Sequence, residues 1–97
     1  MKGLRDPEGA EVSRLLAACP FPGKRVLEIG CGSGKLTWLY ADQPRQVVGI
    51  DPAACELRQA KADRPAAISN ADLLQAMGEG LPFLSQTFDI ALFASSL

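Results

Sequence analysis

Nine residues, Val26 through Gly34, limit what this chain can fold into more than any other stretch. They read Val-Leu-Glu-Ile-Gly-Cys-Gly-Ser-Gly: an apolar run, Arg25 to Ile29, closes in three glycines at alternate positions, Gly30, Gly32 and Gly34. A helix-like pattern of Leu36, Leu39 and Tyr40 follows at once. Glycine permits positive φ and close approach of a ligand to the main chain, and the first amides of a helix have no acceptor within it. Strand, glycine turn and helix in that order predict a place where a small molecule lies against the backbone.

A second apolar run, Gln46 to Ile50, ends in Asp51, nineteen residues after Gly32. If the two runs are parallel strands joined by the intervening helix, Asp51 stands beside the glycine turn. A carboxylate there can accept hydrogen bonds from the two vicinal hydroxyls of a ribose, and the offset is close to the roughly 20 residues of dinucleotide-binding units. The glycine spacing differs from theirs. A dinucleotide fingerprint puts its third glycine where this chain has Lys35, whereas here it is Gly34. Glu28, two residues before the first glycine, would repel a pyrophosphate and attract an ammonium. Lys35 is no phosphate-loop lysine either, because the glycine spacing is wrong and no Ser or Thr follows. Each residue also has a purely structural reading. Three glycines can simply make a tight turn, and Asp51, followed by Pro52 and an alanine-rich helical stretch, can cap a helix with proline at its first position. Cys31 fits the turn better as a small residue than as a nucleophile, although a helix N-terminus can lower a thiol pKa.

Residues 26–34 resemble motif I of the class I S-adenosylmethionine-dependent methyltransferases, and Gly49-Ile50-Asp51 resembles the acidic end of their second strand. A third match follows in order: Leu81-Pro82-Phe83, then Thr87-Phe88-Asp89 and the apolar run from Ile90 to Phe93, is similar to the approach to strand four in the small-molecule branch, the methyltransferase type 11-like enzymes. The resemblance covers about Arg25 to Leu97 and corresponds to the front half of the family's domain. It implies an α/β fold: a partial Rossmann-like, doubly wound parallel sheet of about four strands in the order 3-2-1-4, truncated before strand five. It also implies S-adenosylmethionine as cofactor. Gly30, Cys31 and Gly32 would line its methionine part, with Gly34 completing the turn, and Glu28 would orient the loop or the amino group. Asp51 would hold the ribose hydroxyls, and Pro52 would sit near the adenine face. An acid after strand three commonly receives the adenine amino group in that family. Counting back from Leu81 puts Met77 there, whereas counting forward from a weak strand at Ala66 to Asn70 puts Asp72 there; Asp72 is preferred, with a turn or cap as its plain alternative.

Composition narrows the function classes. An apolar share of 47% with 22% charged residues fits one globular domain and excludes a disordered tail. Lys and Arg number 10 against 11 Asp and Glu, which leaves no electrostatic footprint for nucleic acid and no basic run for a membrane surface. No apolar stretch approaches the ~20 residues of a membrane span. The absence of histidine removes most zinc constellations and any histidine-based triad, and three cysteines without C-x-x-C spacing point to a reducing cytoplasm.

Along the chain, Asp6-Pro7-Glu8 reads as the start of a leading helix with Val12, Leu15, Leu16 and Cys19 on one face. Leu36, Leu39 and Tyr40 form the inner face of the next helix, with Trp38 turned aside. Pro52 to Lys61 is helical, anchored by Leu57; Ala66 to Asn70 is a poor strand; Asp72 to Met77 makes one or two helical turns; Phe88 to Ala94 is a buried strand. Right-handed crossovers place all the helices on one face of the sheet. The apolar runs at Val47, Val48 and Ile50, and at Ile90, Leu92 and Phe93, are the pattern of strands covered on both faces. One face is therefore expected to be bare and strand four to be an apolar edge, so the chain should be marginally stable, self-associating or part of something longer. Nothing names a methyl acceptor. Ser95 and Ser96 follow strand four without a recognisable acceptor motif, and two other readings remain: a non-catalytic cofactor-binding remnant or interaction module, and a fragment of a nicotinamide-binding oxidoreductase.

Overall fold

The computed structural model describes residue 14 and residues 16–77 and 87–94. The proposed helix start at Asp6, the Leu81-Pro82-Phe83 match, Ser95 and Ser96 lie outside them. Four strands make one parallel sheet: β1 (Arg25–Ile29), β2 (Gln46–Asp51), β3 (Ala71–Gln75) and β4 (Ile90–Phe93), in the spatial order β3-β2-β1-β4. Helix α1 (Thr37–Tyr40) joins β1 to β2, and α2 (Ala54–Ala62) joins β2 to β3. The expected doubly wound order 3-2-1-4 is therefore present.

The register sorts side chains into two faces, since successive residues of a strand point to opposite sides. Val26, Glu28, Val47, Gly49, Ala71, Leu73, Ile90 and Leu92 share one face. Leu16, from the helical residues 16–18, packs there with Phe21, Leu36 and Tyr40 over Val26, Val47 and Ala71. Leu57 and Ala60 of α2 cover Leu73 and Cys31. The helices thus lie on one face, as right-handed crossovers require. The opposite face carries Leu27, Ile29, Val48, Ile50, Leu74 and Phe93. It is bare only at its margins: Leu27 and Ile50 are 1% and 3% exposed, against 52% for Leu74 and 65% for Phe93. The expectation of a wholly uncovered face is corrected accordingly.

Three local expectations are also corrected. Strand three is Ala71–Gln75 and not Ala66–Asn70, and Asp72 to Met77 forms no helix. Residues before Ala71 form a turn in which Ile68 N donates to Pro65 O, while the Arg64 guanidinium donates to Ile68 O at 2.9 Å and to Ala71 O. Ile68 O is thereby taken up in the turn, whereas Ala71 O belongs to the first residue of the strand itself. Asn70 adds a further stop, its Nδ2 donating to Ala41 O and Pro44 O while its own carbonyl receives Val47 N. The strand that follows is made by burial of Ala71 and Leu73, packing that overrides the weak strand propensity of Ala-Asp-Leu-Leu-Gln. In α1 the inward residues are Thr37 and Tyr40; Leu39 is 61% exposed, and half-buried Trp38 packs on both core clusters. Asp89 closes the sheet at its amino end: its carboxylate accepts Arg25 N at 2.9 Å while its own amide donates to Arg25 O.

Candidate functional site

At the carboxyl ends of β1 and β2 the chain brings together the glycine turn and Asp51. Gly30, Gly32 and Gly34 all have positive φ, 76°, 54° and 84°, the region that L side chains avoid. Asp51 is half-buried and spans the junction. Its Oδ2 accepts Gly32 N at 2.9 Å across the turn, and its Oδ1 accepts Ala53 N at 2.8 Å at the start of α2. The proximity to the glycines is therefore real, whereas Asp51 is not the helix cap: Ala53 holds that position without a side-chain bond, and Pro52 lies before the helix. Pro52 is exposed beside Asp51, and its carbonyl accepts Gln75 Nε2 at 3.0 Å.

The turn's amides are already committed. Gly30 N and Cys31 N both donate to Ile50 O, at 2.9 and 3.0 Å, and Gly34 N donates to Cys31 O at 3.0 Å. With Gly32 N bound to Asp51, none of these four is left over for an anion, and α1, at four residues, is too short to add a helix-terminal anion site. The expectation that amides here would donate to a ligand does not extend to these four. What Gly30 and Gly32 offer is a surface without side chains: a Cβ built on Gly32 would meet only Glu56 Oε1, at 3.8 Å. Glu56, in the first turn of α2, thus puts a second carboxylate beside the turn. Sequence reasoning left it unassigned, although its place five residues after Asp51, in the first helical turn, was the available signal. Two carboxylates beside four committed amides make a corner for a cation.

Glu28 is fully buried beneath the turn and does not reach the cleft. Its Oε1 accepts Thr37 Oγ1 at 2.9 Å and Tyr40 OH at 2.5 Å, and Oε2 has no hydrogen-bond partner. Of the two roles expected for it, orienting the loop is the one this geometry performs, because it ties α1 to β1. Burial pushes its carboxyl above the usual carboxylate range, and the bonds from Tyr40 and Thr37 only partly oppose that. Burial and the neighbouring Glu28 push the Tyr40 hydroxyl up as well, and the Tyr40 ring stacks on Phe21 at 4.7 Å. Cys31 is buried against Gly49, whose missing side chain makes room for its sulfur: a Cβ there would lie 3.1 Å from Cys31 Sγ and 2.7 Å from Leu73 Cδ2. Burial, then Glu28 and Asp51, push the thiol up to about 12, so Cys31 is a packing residue and not a nucleophile. Gly34 is equally hemmed in, with a built Cβ 2.7 Å from Trp38 Nε1 and 3.1 Å from Ala60 Cβ. Trp38 Nε1 donates to Ala60 O, and the Arg64 guanidinium lies 5.6 Å from its ring.

Asp72 does not join this corner. It is exposed within β3, opposite Val48 and three residues short of Gln75, which is opposite Asp51. At roughly 3.3 Å per residue that is about 10 Å from the strand's carboxyl end. Ala76 and then Met77 follow that end, so counting back from Leu81 lands nearer the carboxyl edge than counting forward to Asp72. No group of acids, cysteines or histidines suited to a metal occurs among the described residues, and no described helix is long and apolar enough to cross a membrane.

Known proteins share this fold. Residues 26–97 match a family described as a methyltransferase domain. The ubiquinone biosynthesis O-methyltransferase of Rhizobium johnstonii is 36% identical over 88 residues, covering 91% of this chain and 32% of that protein. Among solved structures, an S-adenosylmethionine-dependent methyltransferase from Mesorhizobium loti superposes with a TM-score of 0.65 at 26% identity, over 89% of this chain and 40% of its own. One from Thiobacillus denitrificans, in complex with S-adenosyl-L-homocysteine, gives 0.62 at 27% identity, over 84% and 34%. The chain spans about a third of the length of the curated relatives it matches.

Proposed function

Because the chain belongs to the methyltransferase-domain family, we propose that its glycine turn and Asp51 hold S-adenosylmethionine for methyl transfer to a small-molecule acceptor. The observation that carries this reading is the 2.9 Å hydrogen bond from Gly32 N to Asp51 Oδ2, which puts the acid and the turn in one corner. The residues fit the ligand's charge. Its sulfonium and ammonium are cations, and the corner offers Asp51, Glu56 and a backbone surface bare of side chains at Gly32. A dinucleotide pyrophosphate would find committed amides and two carboxylates, which disfavours the oxidoreductase reading.

S-adenosylmethionine, when bound, supplies a methyl group already activated by a positively charged leaving sulfur. The protein's work is then alignment and exclusion of water. Asp51 holds the ribose hydroxyls while keeping the turn in place, Pro52 lies beside the base, and Glu28 fixes α1 under the turn through Thr37 and Tyr40. The O-methyltransferase relative of ubiquinone biosynthesis supports a hydroxyl-bearing small molecule as acceptor. A reducing, cytoplasmic setting accords with the absence of any disulfide among Cys19, Cys31 and Cys55. A second reading, cofactor binding without turnover, draws on a specific observation: Glu28 is sealed, Cys31 is held protonated and Asp51 is bound to backbone amides, so none of them is free to accept an acceptor's proton.

Calorimetric titration with S-adenosylmethionine, its demethylated product and a nicotinamide dinucleotide separates these readings. Binding of the first two and not the third is expected. Asp51→Ala should weaken binding by about 1 to 3 kcal/mol, the range for hydrogen bonds to a charged group. Unchanged affinity in that variant removes Asp51 from the site, and binding without methyl transfer to any hydroxylated acceptor selects the second reading.

A further inference from the structure

Beneath the glycine turn lies a carboxyl whose two oxygens are treated unequally. Glu28 stands two residues before Gly30 and is fully buried. Its Oε1 accepts both Thr37 Oγ1 and Tyr40 OH, and its Oε2 accepts nothing. An ionised carboxylate needs bonds on both oxygens to offset its desolvation, whereas a proton on Oε2 removes the charge and most of that cost. The groups that face Glu28 do not compensate. On the adjoining strands it stands opposite Gly49 and Leu92, neither of which titrates. From the turn, Cys31 keeps its proton, because burial, then Glu28 and Asp51, push its thiol up to about 12. From α1, burial and Glu28 itself push the Tyr40 hydroxyl up as well, and the segment before β1 brings Leu16, Cys19 and Phe21 to the same core. Among the described residues no lysine or arginine acts on Glu28.

Strand residues advance roughly 3.3 Å each, which sets Glu28 about 7 to 10 Å below a charge resting on the glycines. At an effective dielectric of about 20, attraction over that span shifts a proton equilibrium by about fifteen- to fiftyfold. We propose that Glu28 is a charge-specificity residue: with no ligand it keeps a proton on Oε2, and a sulfonium above the glycine turn drives that proton to solvent. This rests on the proposed cofactor site. The Oε2–H bond breaks, its electron pair stays on the carboxylate, and the ligand's positive charge replaces the proton's. Glu28 itself never touches the ligand, whose grip belongs to the corner above it. The demethylated product carries the same ammonium and carboxylate but a neutral thioether, so it leaves the proton in place. After methyl transfer Glu28 takes a proton back, and the hold on the product loosens.

The test is calorimetric titration of the full chain with S-adenosylmethionine and with S-adenosylhomocysteine between about pH 5.5 and 8. Both carry the same amino and carboxyl groups, so the ratio of their affinities isolates the sulfonium. That ratio should rise about tenfold in favour of S-adenosylmethionine across the range. At a single pH its binding enthalpy should vary with the buffer's heat of ionisation, reporting a released proton that S-adenosylhomocysteine does not release. Glu28→Gln keeps an acceptor and cannot ionise, so it should make the ratio independent of pH and abolish the released proton. Tyr40→Phe removes a donor that favours the ionised form and should move the rise to higher pH, a shift that a purely structural brace would not give. A wild-type ratio that changes by less than about twofold overturns the proposal, as does a rise that survives in Glu28→Gln. Buffer-independent enthalpies in the wild type overturn it without any variant. If neither ligand binds at any pH, the cofactor site itself is wrong and this proposal falls with it; binding of both with a constant ratio leaves that site standing.

Discussion

The corner between β1 and β2 and the outer margins of the sheet follow opposite rules. In the corner, local chain and long-range pairing satisfy each other: Asp51 bonds both the turn before it in sequence and the helix after it, and the turn's amides return to Ile50. At the margins, Leu74 and Phe93 present apolar surface on the face opposite the helices. The contrast teaches that the corner of the glycine turn and Asp51 is held together by its own stretch of chain, whereas the sheet's second face and the edge of β4 depend on whatever packs there. Unpaired apolar edges tend to pair with other chains, and self-association through β4 and the margins of that face is our expectation for the chain by itself.

The largest effect should come from disturbing the corner. Gly34→Ala forces a side chain into positive φ and within 2.7 Å of the Trp38 indole nitrogen. Left-handed strain and overpacking together should cost about 2 to 5 kcal/mol in denaturant unfolding. A loss below 1 kcal/mol would show that the turn relaxes freely and that the corner is less determined than its geometry implies. Next in size, Tyr40→Phe keeps the stack on Phe21 but removes the 2.5 Å bond to Glu28, and should cost about 1 to 3 kcal/mol.

Glu28 sharpens the comparison through pH. Its carboxyl is raised in the folded protein from an unfolded value of 4.5. The folded state therefore binds the proton more tightly, so this group's contribution is fully present below pH 4.5 and is lost as pH rises through the folded pKa. Glu28→Gln keeps an acceptor for Thr37 and Tyr40 and cannot ionise. Its stability relative to wild type should improve between pH 4.5 and 8, as read from paired thermal melts; a constant difference would mean that Glu28 does not titrate there. The smallest effect belongs to the margin: Leu74→Lys should change unfolding free energy by no more than about 0.5 kcal/mol yet lower the associated fraction in sedimentation. If association is unaffected, that face is not where copies meet.

The pattern from Val26 to Asp51 was legible because strand, glycine turn and acid are all specified within one crossover unit; the strand order came from the family resemblance, and handedness added that the helices share one face. Strand three was not. Ala66 to Asn70 contains a β-branched residue, but that residue, Ile68, is held in a turn, its amide on Pro65 O and its carbonyl on Arg64, whereas Ala71 to Gln75 has no β-branched residue and becomes a strand through burial of Leu73 against Gly49. That single shift of register also misplaced Asp72, since the end of a strand decides which side chain reaches the ligand. Leu39 failed for a related reason: helical spacing suggested the inner face of α1, but the buried Glu28 carboxyl recruited Thr37 and Tyr40 and left Leu39 outside.

Gly49 has a consequence for anyone wishing to transplant this loop. Its vacant side-chain volume is shared by the sulfur of Cys31, from the turn after β1, and a methyl of Leu73, from the neighbouring strand β3. The portable unit is consequently not the nine-residue glycine segment but that segment together with a hole in the adjacent strand and the leucine that fills the remainder. A graft onto a sheet carrying even an alanine at the equivalent position would have to expel one of the two occupants before the bend could close.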